Sequence, residues 1–187
     1  MIDSKCGGVL YSLYASPIGD LTLTSDGAAL TGLFMCQHRG QPASGPEASW
    51  QRDDSAFQSV REQLASYFEG KLRDFDLPLR LDGTPFQQRV WQGLRAIPYG
   101  ETISYAELAR RIGHPGASRA VGSANGRNPI SIVVPCHRVI AADGTLGGYG
   151  GGLGRKDFLL QHETTAHAHW TVAQPSKRWR ARSVMVD

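Results

Sequence analysis

Residues 104–125 read Ser104-Tyr105-Ala106-Glu107-Leu108-Ala109-Arg110-Arg111-Ile112-Gly113-His114-Pro115-Gly116-Ala117-Ser118-Arg119-Ala120-Val121-Gly122-Ser123-Ala124-Asn125. Ser104 followed three positions on by Glu107 is a capping box, in which each side chain satisfies a free amide at a helix start. The spacing predicts a helix to about Arg111. Gly113-His114-Pro115-Gly116 then forces a turn, and a second helix runs from Ala117 to about Asn125, which together have the form of a helix-turn-helix. Helix pairs joined by Gly and Pro are common, so the form alone does not assign DNA contact.

Working outward, the 187 residues are 41% hydrophobic and 20% charged, values that exclude a chain disordered throughout. The formal charge of +3 hides a polarity. Residues 1–82 carry 7 basic and 11 acidic side chains, net −4; residues 83–165 carry 9 and 5, net +4; residues 166–187 carry 4 and 1, net +3. The balance switches at the turn signal Asp82-Gly83-Thr84-Pro85, which divides the chain into domains 1–82 and 83–165 and a basic, flexible tail 166–187 that begins to turn polar at Thr164. Val9 to Tyr14, Leu21 to Thr24 and Leu30 to Phe34 read as an antiparallel meander, and Phe57, Val60, Leu64 and Tyr67 as a helix stopped at Gly70. Nothing in this first domain reads as chemistry. In the second, Phe86, Val90, Leu94 and Ile97 mark a helix face that Pro98 ends. The fold class is α+β: a small N-terminal antiparallel sheet with a helix, then a mainly helical domain with the helix-turn-helix and a short strand carrying a nucleophile.

That nucleophile is Cys136. Ile130-Ser131-Ile132-Val133-Val134 is a β-branched run expected to form a buried strand, which Pro135 stops just before Cys136-His137-Arg138. A flanking His and Arg favour a thiolate. In an extended segment neighbouring side chains face opposite ways, so Cys136 and His137 communicate through a turn or a bridging water. Glu163 follows the apolar run Phe158-Leu159-Leu160 and could complete a nucleophile, base and acid set, although spacing alone reads it as a solvated carboxylate at a helix end. Cys6 and Cys36 read as small buried hydrophobes. The three widely spaced cysteines argue against a disulfide scaffold, and the lack of a signal peptide or long apolar run points to the cytoplasm.

Pro135-Cys136-His137-Arg138, preceded by Asn128-Pro129-Ile130 and Arg119-Ala120-Val121-Gly122 and followed by Gly147-Gly148-Tyr149-Gly150-Gly151-Gly152 and His162-Glu163, resembles the O6-alkylguanine-DNA alkyltransferases. The resemblance extends from about Ser16 to Glu163. It implies a DNA repair protein that flips O6-alkylguanine out of duplex DNA through the minor groove and moves the alkyl group irreversibly to Cys136 in one turnover. It assigns a proton relay to His137, a water and Glu163, makes Asn128 a brace, and makes the Tyr105 phenol the proton donor to the leaving guanine. It further implies Arg119 as the side chain that fills the gap left by the flipped base, DNA contacts from Tyr105, His114, Ala120, Gly122 and Ser123, and a base pocket lined by Tyr149 and Gly150.

A monomer without cofactor or metal is expected. Asp26 and Thr31 stand where some members of that family hold zinc, and His162, His167 and His169 read as solvated histidines. The competing reading is a lesion-sensing DNA-binding protein without transfer, against which the cysteine itself argues; a Cys-dependent hydrolase lacks any recognisable acyl pocket.

Overall fold

The computed structural model describes residues 8–35 and 46–168. Cys6, Cys36, His169 and the basic residues of the tail lie outside them. Strand β1 (Leu10–Ser16) turns at Gly19, whose φ of 96° suits a residue without a Cβ, into β2 (Gly19–Ser25). The pair is antiparallel, with Leu13 opposite Thr22. The next turn is held by Asp26, whose carboxylate accepts from the Ala28 and Ala29 amides at 2.8 Å each, and delivers β3 (Leu30–Met35). The meander expected from the sequence is therefore present. A two-residue strand, β4 (Gln51–Arg52), adds parallel to β1 and completes the order β3-β2-β1-β4. Helix α1 (Gln58–Phe68) buries Val60, Leu64 and Tyr67, and Gly70 follows it at φ 72°.

The outer edge of β3 is not free. Leu30 accepts from Arg80 and donates to Pro78, and further along Leu33 donates to Pro129 at 2.9 Å and accepts from Ser131 at 3.1 Å. Two segments remote in sequence thus cover one strand edge, and the second leads directly to Cys136.

Helix α2 (Pro85–Arg95) begins with a complete capping box: Thr84 accepts from the Gln87 amide and the Gln87 side chain accepts from the Thr84 amide. It ends before Ile97, which is nevertheless buried. Strand β5 (Ile103–Ser104) leads into α3 (Tyr105–Arg111), and after the Gly113 and Gly116 turn, α4 (Ser118–Asn125) packs on α2 and α3. Trp91 is buried between them and donates its indole N–H to Ala124 O at 3.0 Å. The expected box at Ser104 forms only by half: Ser104 accepts from the Glu107 amide, but the Glu107 carboxylate turns to Arg110 and Arg111. Two cations outbid one amide.

Residues 130–134 are the main departure. They form a turn rather than a strand, with Ser131 bridged to Val134 and Ile132 at φ 72°. Cys136 to Arg138 then make a single 3-10 turn before β6 (Val139–Ile140), which pairs parallel with β5. The α+β class stands, with the nucleophile just before a short strand and not on one. Helix α5 (Leu153–Ala168) runs through Thr164 and on to Ala168, where the tail was expected to have begun.

Candidate active site

Cys136 is a free cysteine and almost fully buried, 3% exposed. The preceding turn exists because Asn128 replaces missing backbone partners: its amide donates to Val134 O at 2.7 Å while its carbonyl accepts from the Ile130 amide at 3.1 Å. Pro129 and Pro135 supply no donors, so this side chain does what a ladder would have done. Asn125, at the end of α4, donates to Cys136 O at 3.3 Å and ties that helix to the nucleophile. Burial pushes the Cys136 thiol up, partly offset by hydrogen bonding to Asn128, the charge of Lys156, and Ser131. At neutral pH the resting group is a thiol.

His137 and Glu163 are brought together, both fully buried, with Nε2 and Oε1 2.8 Å apart. The solvated carboxylate expected from spacing is instead the centre of the site. Burial favours the neutral Glu163 acid, but His137 and Arg138, by charge and hydrogen bonds, outweigh it and hold the carboxyl well below its ordinary range. An ionised carboxylate only accepts, so the hydrogen bonding assigns the proton to His137 Nε2 and leaves Nδ1 as the basic atom. Nδ1 is buried and unpartnered among the described residues. Burial lowers the His137 basicity, so the ring is neutral at rest.

Arg138 does not serve the thiolate, contrary to the sequence reading. Its Nε and Nη2 bond both Glu163 oxygens, at 2.9 and 3.0 Å, and Nη1 donates to Ile97 O at 2.6 Å. It cancels the charge of Glu163. The cation that does face Cys136 is Lys156, fully buried, whose Nζ donates to Val139 O at 2.6 Å and to Leu146 O. Burial brings its pKa down to about 8, against the pull of Cys136. Lys156 was missed, yet Lys156, Leu159, Leu160 and Glu163 share one face of α5 at i, i+3, i+4 and i+7. Two charged residues at core positions were the available signal.

The remaining residues surround this centre. The Tyr149 hydroxyl is buried against the thiol and Ser131 without a well-aligned hydrogen bond, and Gly150 lies beside it in the same loop. A Cβ on Gly151 would strike Met35 Sδ from β3. The Tyr105 hydroxyl donates to Gly148 O at 3.3 Å, and its ring lies between Gly147 and Gly122. Burial raises the Tyr105 phenol, so it stays protonated. On α4, Arg119, Ala120 and Ser123 are exposed and Gly122 half-exposed, while Val121, Ala124 and Asn125 face inward. His114 sits in the connecting turn against Phe86, 2.7 Å from Arg89 Nη1.

Two family models match, 6-O-methylguanine DNA methyltransferase, ribonuclease-like domain, over residues 9–81 and 6-O-methylguanine DNA methyltransferase, DNA binding domain, over residues 85–165. A methylated-DNA–protein-cysteine methyltransferase of Mycobacterium tuberculosis is 54% identical over 153 residues, covering 82% of this chain and 91% of its own. The chain belongs to this methyltransferase family. A methylated-DNA–protein-cysteine methyltransferase of the archaeon Methanosarcina acetivorans is 48% identical over 154 residues, covering 82% and 97%. Among solved structures, M. tuberculosis OGT in complex with DNA superposes with a TM-score of 0.78 at 52% identity, over 84% of this chain and 94% of that one. The O6-methylguanine-DNA methyltransferase of Pyrococcus kodakaraensis gives 0.62 at 27% identity, over 83% and 98%.

Proposed function

We propose that the protein repairs DNA by taking an alkyl group from O6 of guanine onto Cys136 Sγ. The observation that carries this is the buried His137–Glu163 pair beside a buried free thiol, in a chain of this methyltransferase family. The thiol proton passes through a water to His137 Nδ1. The thiolate forms the S–C bond as C–O6 breaks, and the electron pair leaves with guanine, which takes a proton from the Tyr105 hydroxyl. A thioether has no leaving group, so the step is irreversible and each molecule acts once.

The substrate atom is hidden in the duplex, so the base is flipped. The exposed face of α4 supports entry into the minor groove, where small residues allow close approach: Arg119 fills the vacated stack while Ala120, Gly122 and Ser123, with Tyr105 and His114, contact the backbone. Because the thiol is nearly buried, the loop holding Tyr149 and Gly150 opens to admit the base. Residues 1–82 and 83–165 act as two domains of one monomer without cofactor, followed by the tail 166–187. Among the described residues no helix is long and apolar enough to cross a membrane, and we place the work in the cytoplasm.

The test is incubation with duplex DNA containing O6-methylguanine, followed by mass spectrometry of the Cys136 peptide. One methyl group per protein is expected, and Cys136→Ser should retain DNA binding but accept none. An unmodified cysteine despite tight lesion binding would replace this reading with that of a lesion sensor.

A further inference from the structure

The N-terminal half, in which the sequence shows no chemistry, reaches the relay through one atom. Tyr67, on α1, is fully buried and its hydroxyl donates to Glu163 Oε1 at 2.8 Å, the oxygen that also accepts from His137. The ring is fixed on several sides. It stands edge-on to Tyr99 and Phe68, and His162, the neighbour of Glu163, packs on it and bonds the Tyr67 carbonyl at 2.7 Å.

We infer that Tyr67 is a positioning residue for alkyl transfer, its hydroxyl competing with His137 for Glu163 Oε1 and thereby holding His137 a weak base. This rests on the relay proposed above. A carboxylate oxygen that already accepts a strong hydrogen bond offers less negative charge to a second donor, so the imidazolium gains less from it. Burial, and then the Glu163 charge, raise the Tyr67 phenol well above its ordinary value, so it donates at every pH at which the protein works. The other groups facing Glu163 are the Gly100 amide on Oε2, Arg138 on both oxygens, and the Tyr99 ring, which carries Arg73 and Arg138 against its faces. The charge of Lys156 also opposes protonation of His137. None of these groups but Arg138 and Tyr67 shares Oε1 with His137 among the described residues, and Tyr67 alone can lose its contact without losing a charge.

Tyr67→Phe keeps the ring and removes the hydroxyl. The readout is the pH dependence of the rate of methyl transfer from O6-methylguanine in duplex DNA, whose acid limb follows protonation of His137. Freed of its competitor, Glu163 pulls harder on His137, and the limb is expected to move to higher pH by about half to one unit, a part of the roughly one to two units that a hydrogen bond to a charged group is worth. A purely structural role would lower the rate equally at all pH values. Glu163→Gln is run alongside and is expected to slow transfer strongly. A limb that stays in place or moves to lower pH, with Glu163→Gln slow, overturns the role of Tyr67 and leaves the relay intact. A Glu163→Gln protein as fast as the parent overturns the relay and this inference with it.

Discussion

Lys156 is an unusual side chain, a buried ammonium bonded, among the described residues, only to backbone carbonyls. Arg138 is neutralised by Glu163 and His137 gains its charge only with the thiol proton, so the cation already in place as the thiolate develops is Lys156. Lys156→Met is expected to raise the thiol pKa by about one unit or more and to slow methyl transfer at pH 7.5 about tenfold, with recovery as pH rises. Lys156→Arg should retain most of the rate. A loss in the Met variant that is the same at every pH would exclude the electrostatic role. At this scale the sequence was legible where residue types are rare and local, as at Cys136 and the adjacent His137, while Asn128 came with the resemblance. Glu163 was reached through the resemblance although its spacing alone reads as a solvated helix end, and Lys156 and Tyr67 were not reached, because each sits on a helix face that reads as charge or core until another element packs on it.

Among the elements, those with local signals were found. The β1–β2–β3 meander, α1, α3 and α4 follow turn chemistry and periodicity that need no partner. The segment 130–134 was misread because β-branched residues favour strands only where a ladder is available. Here two prolines and the Asn128 side chain remove it, and Ile132 is forced to a φ of 72°. Caps offer a quantitative comparison. Thr84→Ala together with Gln87→Ala breaks both bonds of a complete box, whereas Ser104→Ala breaks one. The first should cost about 1 to 2 kcal/mol in urea unfolding and the second about half as much, with the tenancy of Glu107 by Arg110 and Arg111 unchanged. Equal losses would mean that the reciprocal Gln87 contact contributes nothing.

For the whole molecule, the ionisable cluster ties stability to pH. The folded Glu163 carboxyl lies below its ordinary range, so below about pH 4.3 the unfolded chain binds more protons and stability falls. His137, held neutral by burial, acts in the same direction and starts the decline near its ordinary value of about 6.5. The melting temperature should therefore drop as pH is lowered from about 6.5, and Glu163→Gln should flatten the part below about pH 4.3. Parallel curves for the two proteins would refute the assignment.

Order of synthesis has a bearing as well. Leu33 bonds the segment that leads to Cys136, Tyr67 bonds Glu163, and Glu163 lies far down the chain on α5. During translation the nucleophile therefore leaves the ribosome well before its acid, and a chain halted anywhere between Cys136 and Glu163 carries a cysteine with no relay to arm it. The reagent is assembled only when α5 docks against α1.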